Sequence, residues 1–237
     1  MNARIGLLFD VAYVGLMTNV LLTVACLPLV VLLLTTDPGR SWPLLALLAP
    51  MAGPALCGAF AVLSAYSQER STAVTRTFLR VWRASARGSV KLMAAASALL
   101  VVLAVDCRAA WGRPAGALAI PVLAVAMTLT VATLLLALVV LASRPGVRVR
   151  DAARVSVYLA VRHWYLTLPS LAVLATFEAL LATRPAVALG LAAAPLLYVV
   201  WAGSRFSLNA VLAVPFAPAA VPFSPPAVPF SATEGHS

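Results

Sequence analysis

Acidic residues are scarce in this chain. Seven Asp and Glu stand against 17 Lys and Arg in 237 residues, and charged residues of both signs make up only 10%. Soluble domains carry about 25% charged residues. With 63% of the chain hydrophobic and a mean hydropathy of +1.01, a water-soluble fold of this size could not cover its apolar surface, which excludes the soluble enzyme classes. Histidine is almost missing (His163 and His236), and the three cysteines, Cys26, Cys57 and Cys107, form no CxxC and pair with no His at metal-ligand spacing. HExxH, GxSxG, P-loop and GxGxxG motifs are absent, as are clustered carboxylates. Metal-assisted and Ser/His catalysis therefore lack their residues; we expect no enzyme and no cofactor. Lysine occurs once, at Lys91, an arginine bias that reads as the codon usage of a GC-rich bacterial genome.

What is present is apolar length. A helix needs about 20 mostly apolar residues to cross a bilayer, and six stretches qualify, near 11–35, 43–66, 90–107, 117–143, 165–183 and 186–204. The third needs Lys91 and Arg108 to snorkel at its two ends. The expected fold is all-α: a six-span membrane domain over 1–212, followed by a tail over 213–237. Asp10 and Asn19 interrupt the first stretch, so it does not read as a cleavable signal. Pro28, Pro50, Pro54 and Pro121 are expected to kink or break their spans.

The cations sort by side. Arg70, Arg76, Arg80, Arg83, Arg87, Lys91, Arg144, Arg148, Arg150, Arg154, Arg162, Arg4 and Arg205 fall on one side, and Arg40, Arg108, Arg113 and Arg184 on the other. Thirteen against four places both termini in the cytoplasm by the positive-inside rule. Trp42 and Trp111 at outer ends, and Tyr66, Trp164, Tyr165 and Trp201 at inner ends, agree with those depths.

Two basic segments carry more order than topology requires. Between Thr72 and Lys91 there is no proline, and Arg76, Arg80, Arg83, Arg87 and Lys91 fall in a stripe about 80° wide at helical periodicity. Val74, Phe78, Val81, Ser85 and Ser89 lie opposite, with Trp82 flanking. This predicts a basic amphipathic helix lying on the leaflet, with Phe78 and Trp82 dipped in and the guanidinium groups among lipid phosphates. Val149 to His163 repeats the pattern, with Arg150, Arg154, Tyr158 and Arg162 on one side and Ala152, Val155 and Leu159 on the other. The recurrence of span, basic helix and span suggests a weak internal duplication. No nucleic-acid module accompanies the charge, and no nucleic-acid partner is expected.

Glu178 is the one acid well inside a predicted span, a functional-site candidate by default, with Arg184, Arg108 and Arg113 as candidate partners. Asn19 is expected to hydrogen-bond a neighbouring helix, and Asp10 to pair with an arginine of the basic helices. The tail repeats AVPF at 213–216, 220–223 and 227–230, and its prolines forbid helix.

Several landmarks together resemble the YesL-like bacterial membrane proteins, a family defined by a domain of unknown function: Asn19 with Leu27-Pro28, then Gly53-Pro54-Ala55-Leu56, then Phe78-Leu79-Arg80-Val81-Trp82-Arg83, and the stretch Arg154 through Arg162. The resemblance covers roughly residues 8–205, with a longer 29–50 stretch than in many relatives and a tail outside the pattern. It implies an accessory role beside a carbohydrate ABC transporter in the bacterial inner membrane and assigns no catalytic residues. The expected partners are thus anionic lipid headgroups and transporter components, with self-association open. A transporter using Glu178 and the kinked helices, and a lipid-interacting or sensory protein, are the alternatives.

Overall fold

The computed structural model describes residues 2–113, 116–144, 147–162, 172–173, 175–176, 179–180 and 193–212, and among them secondary structure is helical with no strand. In chain order the helices are α1 (Asn2–Ala25), α2 (Leu27–Thr35), α3 (Pro38–Leu48), α4 (Ala52–Glu69), α5 (Val74–Ala110), α6 (Gly116–Ser143), α7 (Val149–Arg162) and α8 (Ala193–Leu212), with a 3₁₀ turn at Ala49–Met51 between α3 and α4. Three stretches are long and apolar enough to cross a membrane: Gly39–Glu69, Val74–Ala110 and Gly116–Ser143. Phe9–Ala25 with Leu27–Thr35 makes a fourth if that bent pair is one span.

This arrangement bears out one expectation and corrects another. The first predicted span breaks where Pro28 is expected to break it, bending by 76° between Ala25 and Leu27. Pro28, in the first turn of α2, lacks an N–H and its ring clashes with the preceding turn, so the helix restarts there. The basic segment 72–91 is not a separate surface helix: it is the first half of α5, which runs 37 residues without a break, about 56 Å at helical rise. Gly88, which costs a helix roughly 1 kcal/mol against alanine, sits where a Cβ would come within 3.2 Å of Leu141 and 3.4 Å of Val149. Close packing keeps the helix intact through it. Of the six predicted spans, the described residues carry the three or four just named. The predicted span 165–183 lies outside the described residues apart from 172–173, 175–176 and 179–180. Of 186–204 only 193–204 is described, and it belongs to α8, which continues to Leu212. The AVPF tail also lies outside them.

The core explains why α4 and α6 are so apolar. From Gly53 to Leu63 every residue of α4 except Leu56 is buried, and its small side chains admit neighbours closely. A Cβ on Gly53 would stand 2.8 Å from the Ser89 carbonyl oxygen, and one on Gly58 2.9 Å from the Phe78 ring. Cys57 Sγ donates to the Leu138 carbonyl oxygen at 3.6 Å, joining α4 to α6. Ser85 and Ser89 face the same seam and donate back to Val81 O (2.7 Å) and Ser85 O (2.9 Å), so their hydroxyls are satisfied within α5. Leu134–Val139 of α6, Ala152 of α7 and Trp201 of α8 complete one cluster around Cys57 and Phe60. Val14 and Leu22 of α1 join Ala55, Ala59, Val62, Val74 and Phe78 in a second.

The hairpin between α4 and α5 closes on Arg70, which adopts the left-handed conformation (φ 52). Its N–H donates to the Tyr66 carbonyl oxygen at 3.1 Å, ending α4 with a left-handed cap, while its guanidinium lies 5.4 Å from the Tyr66 ring centre.

Candidate functional site

The arginine stripe is built by the first half of α5. Arg76, Arg80, Arg83, Arg87 and Lys91 are all exposed, while Val74, Phe78, Ser85 and Ser89, a turn or two apart on the opposite side, are buried. The stripe is thus one face of a core helix. Phe78 does not reach lipid: it is 2% exposed and packs on Gly58, because the small residues of α4 leave room for its ring. Trp82 is half-buried against the same cluster. The sequence pattern puts both at the membrane surface, and for Phe78 that expectation is corrected outright.

The second basic segment is found as α7, with Arg150 and Arg154 exposed. Its inward face is Ala152 and Ser156, both buried. Ala152 is on the side expected to lie opposite the arginines; Ser156 was not named there. The side chains of Val155, Tyr158, Leu159 and Arg162 lie outside the described residues. Val149 lies against Gly88, and Val157 lines a groove with Leu92, Ala95, Thr130 and Thr133. α7 therefore starts beside the arginine stripe and continues along α5 toward its apolar half, which gathers Arg76–Lys91, Arg150 and Arg154 onto neighbouring helices.

Asn19 is buried, and its Oδ1 accepts the N–H of Ala194 at 2.7 Å. This is the interhelical bond expected of it. The bond ties α1 to α8 close to Ala193, where the described residues resume. Asp10 is exposed on α1, and among the described residues no arginine pairs with it. Glu178 and its pairing lie outside the described residues.

Neither a family model, nor a curated protein, nor a solved structure matches this chain. Four short sequence motifs fall at structural joints: Asn19 at the α1–α8 bond, Leu27-Pro28 at the 76° break, Gly53-Pro54 opening the buried helix, and Phe78 at the hairpin core.

Sequence reasoning missed the seam that positions the stripe. Gly53, Cys57 and Ala61 repeat every four residues, as do Ser85 and Ser89, and small residues at that interval mark close helix pairs in membranes. That signal was available. The packing of Phe78 was not, because an aromatic on the apolar face of a basic helix suits lipid and protein equally.

Proposed function

We propose that this chain is a non-enzymatic membrane protein that docks an acidic cytoplasmic partner, an accessory or assembly factor for solute uptake, with its arginine-rich end inside the cell. The observation that carries this reading is the direction of the stripe. Arg76 to Lys91 extends along the axis of α5 in line with the apolar half of the same helix, not across it. Fifteen residues rise about 22 Å, whereas the headgroup layer of one leaflet is only about 5–8 Å thick. Lys91 and Arg87 can reach headgroups, and Arg83, Arg80 and Arg76 extend beyond them into water, where a protein surface can meet them. The thirteen-to-four partition of cations supports the cytoplasmic orientation. The YesL-like resemblance supports carbohydrate uptake as the setting.

Affinity purification in mild detergent tests it. Wild-type chain should bring down transporter components, and Arg76, Arg80, Arg83 and Arg87 replaced together by Gln should lose them, with recovery falling as salt rises. No transporter component under any growth condition would overturn the proposal. If the quadruple variant instead loses only its preference for anionic liposomes, the lipid-surface reading takes its place.

A further inference from the structure

At the opposite end of α5 from the stripe, α3, α5 and α6 border an open groove of about 930 Å³, lined among others by Gly39, Trp42, Leu100, Ala104, Arg108 and Val131. That volume is at the upper end of the range of small-molecule sites, about 300–1,000 Å³. The lining is graded by depth. Leu100 and Ala104 lie below Arg108 on α5, and eight residues separate Leu100 from Arg108, about 12 Å of rise. The chemistry therefore passes from aliphatic at the bottom to a guanidinium beside Trp42 at the mouth. Arg108 also lines a smaller hollow with Cys107 and Trp111, so an exposed Trp stands on each side of it.

No carboxylate among the described residues pairs with Arg108. Asp37 accepts the Gly39 N–H at 2.9 Å and is engaged at the N-terminus of α3. Asp106 is exposed on α5 about 200° around the helix from Arg108. Thr128, another polar side chain at the wall, donates to the Ala124 carbonyl oxygen at 2.8 Å and carries no charge. Beside the groove, Leu44, Leu47, Leu99 and Val102 are exposed, a surface that suits lipid, so a chain can enter from the bilayer.

We infer that this groove holds one anionic phospholipid of the leaflet at that end, with an acyl chain along Leu100, Ala104 and Val131 and its phosphate on Arg108. Guanidinium binds phosphate with paired, charge-assisted hydrogen bonds, and tryptophan is favoured at headgroup depth. The assignment is independent of the docking role of the stripe, since it uses neither its residues nor its partner.

Native mass spectrometry of the full chain, released from mixed micelles containing phosphatidylglycerol, phosphatidylcholine and oleate, tests it. One phosphatidylglycerol should be retained in preference to phosphatidylcholine. Arg108→Gln should cut that retention roughly tenfold, the scale of one lost charge-assisted contact. Arg113→Gln, at the same end but off the groove, should leave it unchanged. Ala104→Phe, which fills the groove from an exposed position, should lower retention of phosphatidylglycerol and phosphatidylcholine alike. Equal retention by Arg108→Gln and Arg113→Gln, no effect of Ala104→Phe, or preferential retention of phosphatidylcholine or oleate would each overturn the assignment.

Discussion

The two halves of α5 share one uninterrupted backbone and present opposite surfaces. In the first half, Val74–Lys91, the apolar face is buried by protein and the other face is a row of cations exposed to solvent. In the second, Leu92–Ala110, only Leu92 is buried, and Leu99, Val102 and Val105 are exposed. Only 6% of the most apolar window of α5 is covered by the rest of the molecule, against 50% for Gly39–Glu69. Apolar sequence in α4 and apolar sequence in the second half of α5 therefore serve different solvents. The first is apolar because protein surrounds it, the second because its exposed face suits hydrocarbon. Hydropathy alone treats them as equivalent spans.

Substitutions can test that contrast. The largest effect is expected from Phe78→Ala, which empties a buried site against Gly58 and should cost about 3–5 kcal/mol, read as a lowered unfolding midpoint in detergent micelles by circular dichroism. A loss below about 0.5 kcal/mol, the scale of a surface change, would return Phe78 to the membrane surface. Gly53→Val comes next. Its Cβ would stand 2.8 Å from the Ser89 carbonyl oxygen, a backbone atom that cannot swing aside, and overpacking of this kind costs about 1–3 kcal/mol. The same melts should show it, with α4 and α5 forced apart where the two halves of α5 meet. Smallest is Leu99→Ala. This leucine is about half exposed on the open half of α5, so the midpoint should move by about 1 kcal/mol equivalent or less; a shift as large as that of Phe78→Ala would mean that a protein surface covers this face.

Much of the molecule was legible beforehand, for reasons that can be named. The α6 helix, Gly116–Ser143, agrees with the apolar run 117–143 because charges and loop residues bound it on both sides. The bond from Asn19 to Ala194 was anticipated in kind, since an amide in an apolar helix needs a partner. Its partner, 175 residues away, was not. The stripe was legible because arginine spacing is a property of the helix itself. The 76° break at Cys26 was visible in Pro28 as a kink, though its size was not.

Composition and helical periodicity are local quantities, and they were enough to make this a helical, membrane-type chain with a row of cations along one helix face. Which apolar faces meet protein and which remain open had to await the packed molecule. So did the union of the basic segment and the following apolar stretch in one rod, and the position of Arg108 at the mouth of a groove with no carboxylate partner among the described residues. Those outcomes depend on the fit of particular surfaces, Gly58 under Phe78 and Gly53 against Ser89, and hydropathy gives no weight to fit.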